Sequence, residues 1–388
     1  MKKICIITTV STTMQSFVIE TAKYLHNKCN YDVTLICSND EQFKSTLPEY
    51  IHYIPVSMSR GVDFSAIFSI IKFIKIFSRE KFDLVQYSTP NASCYASIAA
   101  RICKVPVRLY CQWGIRYVGF EGLNRKIFKF IEKIICRNST NIRAVSHLNR
   151  QFAISEGLCK SDKIDILGIG GTIGVDMGKY DINQKEQWCN SVRSQYNIDA
   201  NDFVFGFSGR ISAEKGCAEL LTSFKNISDT HTNTKLLIVG GFDEQSKINV
   251  ELLNWAKNSP NVIFIGKIGN DRMREYYSAM DVLVHPTYRE GFGMVLQEAG
   301  ALALTILTTR INGASEVMED GKSCVLAEPK NAEDLQEKMQ YLLDNIEISR
   351  QLGQSAYERT KQYFDRPIML ENQRQDYQQL LGDVASEQ

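Results

Sequence analysis

Short apolar runs alternate with helical patterns along this chain, and the whole alternation is carried through once and then begun again. Before residue 150 the runs are KICIITT, DVTLICS, IHYIPV, DLVQYS, VRLYC and NIRAVS, separated by segments of helical character such as Ile67–Ser78 and Arg125–Cys136. Strand, helix, strand in this order calls for an α/β fold whose parallel sheet is covered on both faces. After a Gly-rich ILGIGGTIGVD and a polar, pattern-poor stretch, the series restarts with DFVFGFSG, KLLIVGG, NVIFIG, DVLVHP, LTILTT and SCVLAE. The expectation is two Rossmann-like domains in tandem, over 1–176 and 201–364, joined through 177–200. At 388 residues the chain exceeds one compact core, and beyond Ala332 only helical patterns remain.

Charge and cysteine usage exclude several classes. The net charge is +1, so nothing points to nucleic acid as a partner. The distribution is uneven: residues 1–176 hold 23 basic and 14 acidic side chains (+9), against 22 and 30 (−8) in the remainder. Eleven Cys are scattered without a CxxC pair, which fits a reducing compartment. MKKICIITTV reads as a first strand rather than a leader, and no apolar stretch is long enough to span a membrane. A P-loop is absent, because Gly321-Lys322-Ser323 has Glu316 where the upstream Gly belongs. Gly168-Ile169-Gly170 is followed by Ile173 instead of a third Gly, so the dinucleotide fingerprint fails too. No DxD occurs and the five His do not cluster, so no catalytic metal and no cofactor are expected.

Two stretches carry chemistry. The first strand of the second series runs into Gly209-Arg210-Ile211-Ser212-Ala213-Glu214-Lys215-Gly216, at the carboxyl end where open α/β sheets bind ligands. Arg210 and Lys215 suit a diphosphate, one as a bidentate donor and the other as a compact charge; the alternative is a solvated basic turn. Downstream, VLVHP leads into Glu290-Gly291-Phe292-Gly293-Met294-Val295-Leu296-Gln297-Glu298. Two carboxylates eight apart, across a Gly-flanked turn that opens a helix, can touch different parts of one ligand. His285 reads as a structural histidine that lies close to Glu290.

The spacing of Glu290 and Glu298, the GRISAEKG loop, KLLIVGG, NVIFIGKIGNDRMREYYSAMDVLVHPTYREGFG and TTRINGASEVMEDGKSCVLAEP resemble, in order, the retaining nucleotide-sugar glycosyltransferases of family 4. The first domain matches more loosely, through MKKICIITTV, SHLNRQFAISEGL and Gly170–Asp176. The resemblance implies a GT-B fold, two Rossmann-like domains facing a central cleft, with a C-terminal helix over 365–388 returning to the N-terminal, acceptor-binding domain. It implies that Arg210 and Lys215 hold the donor diphosphate, that Glu290 lies at the donor sugar, and that Glu298 binds the ribose. Backbone amides at Gly291, Phe292 and Gly293, with Met294 and Val295 opening the helix, would complete the donor site, and Ile268 lines the base or is a core residue.

Departures fall on the acceptor side. Cys111-Gln112-Trp113-Gly114 stands where many relatives have His-Gly, and Trp113 cannot accept a proton, though it can stack on a sugar. The usual Gly-rich first turn reads Thr8–Thr13 here, and the hydroxyls of Thr12 and Thr13 bind acceptor or phosphate, or cap the next helix. Phe64–Arg79 and Arg125–Arg137 are oily helices with basic residues on one face, suited to an anionic membrane surface or simply to packing on the sheet. The function these features imply is metal-independent, retaining transfer of a hexose or N-acetylhexosamine, from a UDP-sugar, to a lipid-linked oligosaccharide in capsule or O-antigen assembly. It places the enzyme in the cytoplasm with weak peripheral contact at the inner membrane face. A UDP-sugar 2-epimerase and a non-catalytic glycosyltransferase-like subunit are the rival readings.

Overall fold

The computed structural model describes residues 1–58, 65–243 and 248–383, so Phe64, at the start of the first oily segment, lies outside the described residues. The chain divides into two compact units, Met1–Ile173 with Pro367–Gln388, and Gly174–Arg366.

The first unit is built on seven parallel strands, β1 (Lys3–Ile7), β2 (Asp32–Cys37), β3 (Ile51–Pro55), β4 (Leu84–Tyr87), β5 (Val107–Gln112), β6 (Asn141–Ala144) and β7 (Ile164–Ile166), in the order β3-β2-β1-β4-β5-β6-β7. Strands β1, β2 and β4 are buried along nearly their whole length, which is why they read as continuous apolar runs rather than as alternation. Strand β7, at the edge, was not expected: three residues with Asp165 in the middle carry too little pattern. The second unit repeats the architecture with β8 (Phe203–Ser208), β9 (Thr234–Val239), β10 (Val262–Gly266), β11 (Val282–His285), β12 (Thr305–Thr309) and β13 (Val325–Ala327), in the order β10-β9-β8-β11-β12-β13. In each sheet the strand order reverses beside the first strand, and that reversal opens a crevice at the carboxyl edge.

Three segments differ from, or sharpen, the sequence expectation. The helix Ser11–Phe17 has Val10 at its N-cap with no side-chain bond there, so Thr12 and Thr13 sit inside its first turn and do not cap it. Residues 177–200 contain a helix, Lys185–Gln195, packed against the helix Met273–Ser278. Its polar composition hid it, since Val192 is its one fully buried side chain. The helix Arg366–Leu381 belongs to the first unit from Pro367 on, and there Arg143 Nη2 meets Asp376 Oδ1 at 2.6 Å and Thr21 Oγ1 donates to Gln373 Oε1 at 2.6 Å.

On one side of the first sheet, the helices Ser65–Glu80 and Gly122–Asn138 both pack against Pro90–Ile102. They bury Phe73, Ile76, Phe77, Ile135 and Cys136, yet leave Ile67, Phe68, Ile71, Leu123, Ile127 and Phe130 exposed. Lys72, Lys75, Arg79, Lys126, Lys133 and Arg137 are exposed on the same two helices.

In the helix Met294–Ala301, Gln297 is fully buried and neither amide atom has a hydrogen-bond partner among the described residues. An unpaired buried amide costs more than an apolar side chain of the same size. Gln297→Leu is therefore expected to stabilise the protein by about 1 kcal/mol, raising Tm by about 2–4 °C. A lower Tm in a thermal melt would show that the amide is satisfied.

Candidate active site

The site is assembled where β8 and β11 lie side by side. The loop Gly209–Gly216 leaves β8, and Gly216 turns it into the helix Cys217–Ser228 with φ +68°. A Cβ on Gly216 would stand 2.0 Å from the Pro286 carbonyl oxygen, so only glycine lets this loop lie against the chain leaving β11. The Tyr288 N–H then donates to the Glu214 carbonyl at 2.9 Å, tying the two loops together. A second close approach fixes the far side: a Cβ on Gly313 (φ +87°) would stand 2.3 Å from the Gly291 carbonyl oxygen.

This packing brings Lys215 and Glu290 into contact, with Nζ 2.7 Å from Oε2. His285, the last residue of β11, reaches the same oxygen through Nε2 at 3.2 Å, and the Gly291 N–H donates to Oε1 at 3.2 Å. Burial pushes the Glu290 carboxyl up, but the His285 hydrogen bond and the Lys215 charge outweigh it and hold Glu290 well below the usual carboxylate range. Burial keeps His285 below its ordinary value, against the pull of Glu290.

Arg210 is 59% exposed and lies between carboxylates, 2.5 Å from Glu214 Oε1 and 2.8 Å from Asp243 Oδ2. Glu214 also meets Arg289 at 3.2 Å. Glu298 belongs to a separate cluster: the Tyr277 hydroxyl, which lies 3.1 Å from Ser208 Oγ, donates to Glu298 Oε2 at 3.0 Å, and Tyr180 bonds the same carboxyl. Burial pushes Glu298 up to about 7, against the two tyrosines and the Arg366 charge. The two carboxylates eight apart therefore occupy opposite environments.

The remaining expected donor-side residues surround these groups. Gly293 caps the helix Met294–Ala301 in the left-handed conformation, and Met294 and Val295 are half-buried in its first turn. The ring of Phe292 is buried against Phe364, leaving only its backbone toward the turn, and Ile268 is half-buried after β10. Thr12, Thr13 and Trp113 belong to the first unit; Trp113 packs 5.4 Å from Phe17 beside a narrow cavity that Tyr377 and Asp376 also line. Sequence reasoning missed Tyr180 and Tyr277, which look like ordinary core aromatics and lie far from Glu298 in the chain. Among the described residues no three His, Cys, Asp or Glu side chains gather as metal ligands.

The profile described as Glycosyl transferases group 1 matches residues 190–359, and that described as Glycosyl transferase 4-like matches 3–146. The chain is 30% identical over 357 residues, 92% of each chain, to the capsular polysaccharide biosynthesis glycosyltransferase CapM of Staphylococcus aureus. It is a family 4 glycosyltransferase. This glycosyltransferase is also 25% identical, over 80% of each chain, to an N,N'-diacetylbacillosaminyl-diphospho-undecaprenol alpha-1,3-N-acetylgalactosaminyltransferase of Campylobacter jejuni. A UDP-Gal:alpha-D-GlcNAc-diphosphoundecaprenol alpha-1,3-galactosyltransferase of Escherichia coli is 22% identical over 73% of this chain and 72% of its own. The fold matches Anabaena HepE in complex with UDP and glucose, with a TM-score of 0.79 at 18% identity, over 98% of this chain and 100% of that one.

The environment of Glu298 sets a pH dependence for this glycosyltransferase. Its carboxyl titrates near 7 when folded against 4.5 when unfolded. Its neutral form is favoured by folding, so the stabilisation is fully present below about 4.5 and lost as pH rises through about 7. Glu298→Gln stays neutral, so its stability relative to the parent is expected to rise between pH 5 and pH 8 by about 3 kcal/mol. Denaturant unfolding at the two pH values measures this, and a difference that does not change with pH would contradict the assignment.

Proposed function

We propose that this glycosyltransferase moves a hexose or N-acetylhexosamine from a UDP-sugar to a hydroxyl of a lipid-linked oligosaccharide, retaining anomeric configuration and using no metal, in capsule or O-antigen assembly. The observation that carries the donor half is the contact of Lys215 with Glu290 at the β8/β11 crevice, with Arg210 on the same loop as Lys215. Lys215 and Arg210 would bind the diphosphate and stabilise the charge it gains as the bond to the anomeric carbon breaks. The acceptor oxygen attacks from the face the diphosphate leaves, and a diphosphate oxygen takes the acceptor proton. Glu290, held as an anion, is suited to accept hydrogen bonds from donor-sugar hydroxyls rather than to give up a proton. Glu298 would accept from the ribose, and amides of Gly291–Gly293 would meet sugar and phosphate. The named relatives are all glycosyltransferases, which favours transfer over epimerisation or a non-catalytic role.

The acceptor half is supported by the two relatives whose names specify undecaprenol diphosphate-linked sugars. It is supported also by the helices Ser65–Glu80 and Gly122–Asn138, on which Phe68 is 74% and Phe130 64% exposed beside exposed basic side chains. Apolar anchors with Lys and Arg around them match an anionic bilayer in both hydrophobicity and charge. Under this reading the enzyme works at the inner face of the cell membrane. Among the described residues no helix is long and apolar enough to cross it.

Calorimetry with UDP, GDP, ADP and TDP in EDTA tests the donor reading, with micromolar UDP binding, about −8 kcal/mol, as the expected result. Arg210→Ala or Lys215→Ala is expected to weaken that binding and abolish turnover; parental turnover would overturn the diphosphate assignment. Glu298→Ala is expected to weaken UDP binding more than Glu290→Ala, which mainly slows transfer. For the membrane reading, the double variant Phe68→Asp/Phe130→Asp is expected to lose binding to phosphatidylglycerol vesicles by at least about tenfold, with UDP affinity unchanged. Equal sedimentation of parent and variant with these vesicles would remove the two helices from consideration.

A further inference from the structure

We infer that His285 is a positioning residue of the transfer reaction, whose Nε2–H keeps the Glu290 carboxylate in place when Lys215 turns to the donor diphosphate. The inference rests on the donor reading above and adds a residue to it.

His285 is held on every side but one. Its ring is 1% exposed and lies over Phe207 of β8, with centroids 6.3 Å apart and planes at 25°. Its carbonyl accepts from Thr308 Oγ1 of β12 at 3.0 Å, so neighbouring strands on both sides fix its backbone and ring. Among the described residues, Glu290 alone makes a polar contact with the ring. An ionised carboxylate accepts and cannot donate, so Nε2 must carry the hydrogen and Nδ1 must be the bare nitrogen in the neutral ring. Nδ1 has no partner among the described residues, so a second proton there would be buried and unbonded. The charged groups facing the ring are Glu290 and Lys215, whose effects on it oppose one another.

Glu290 Oε2 thus has two donors of different kinds. The Lys215 ammonium is a compact charge on a flexible four-carbon stem, and the imidazole is rigid and locked by packing. An incoming diphosphate competes with Glu290 for Lys215. Without His285, Glu290 would keep only the Gly291 N–H, on its other oxygen, at the moment its orientation toward the sugar matters. With His285, the lysine is free to leave and the carboxylate stays where it was.

The test compares His285→Leu with His285→Gln, whose terminal amide can replace the Nε2–H. UDP affinity by calorimetry, UDP release from UDP-sugar, and the pH profile of that release are measured for each. Leu is expected to slow turnover about 10- to 100-fold, the scale of one lost hydrogen bond to a charged group, with UDP affinity within about threefold of the parent. Gln is expected to recover most of the rate with the parental pH profile. Parental turnover in the Leu variant, equal impairment of Leu and Gln, or parallel loss of UDP binding would each overturn the inference. Long-range 15N–1H spectra of the unsubstituted, nucleotide-free protein decide the geometry without activity. Nδ1 is expected bare and Nε2 protonated from pH 6 to 8, and the other tautomer or a charged ring would overturn it. If the parent binds UDP but releases none from any UDP-sugar, the transfer reading fails while the spectra still decide the hydrogen bond.

Discussion

Because β8 pairs with both β9 and β11, strands far apart in sequence, the loops leaving β8 and β11 emerge side by side at the carboxyl edge of one sheet. Every charged group of the candidate site hangs on that pairing. Lys215 and Glu290 are 75 residues apart, and their contact exists only because Gly216 and the Pro286 carbonyl come closer than any side chain would permit. A parallel sheet cannot satisfy this with hairpins; it needs the covering helices, and the helices bring their N-terminal turns to the same edge. The fold and the site are consequences of a single topological fact.

Within that frame the two glutamates are driven apart electrostatically. Glu290 is surrounded by donors and a cation, and Glu298 by two buried tyrosines with a more weakly felt Arg366. Pairs of like groups whose environments push their pKa values in opposite directions generally have different tasks. One is an anion at all working pH values, and the other changes its charge near neutrality. A ligand hydroxyl donating to Glu298 would favour its ionised form, so occupancy of that subsite and release of a proton are linked.

The alternation of apolar runs was enough to read two parallel-sheet units: among the described residues every strand but β7 shows as an apolar run, most plainly where it is interior and buried on both faces. What escaped had little apolar content to show: three-residue β7 and the helix Lys185–Gln195, with one buried side chain. The candidate site residues stand out in spacing and motif: Arg210, Lys215 and Glu290 lie on loops at strand ends, and Glu298 lies in the helix Met294–Ala301 that follows. It was illegible where the partner is a core aromatic, as with Tyr180 and Tyr277, since nothing in sequence distinguishes a tyrosine whose hydroxyl meets a carboxylate from one that only packs. His285 stands between these cases: its nearness to Glu290 is visible in sequence, but its tautomer follows only from the buried geometry.

Arg210 shows how such a site can be poised without being blocked. Its guanidinium is already paired with two carboxylates, Glu214 and Asp243. At 59% exposure those ion pairs are worth little, about 0–1 kcal/mol each, because water screens them and the side chains lose freedom in making them. These exposed pairs would therefore cost a ligand little to displace. Lys215 is held in the same way by Glu290, but there the pair is largely buried, and the carboxylate keeps His285 and Gly291 when the lysine leaves. On the proposed donor reading, a diphosphate would open the exposed Arg210 pairs at less cost than the more buried Lys215–Glu290 pair.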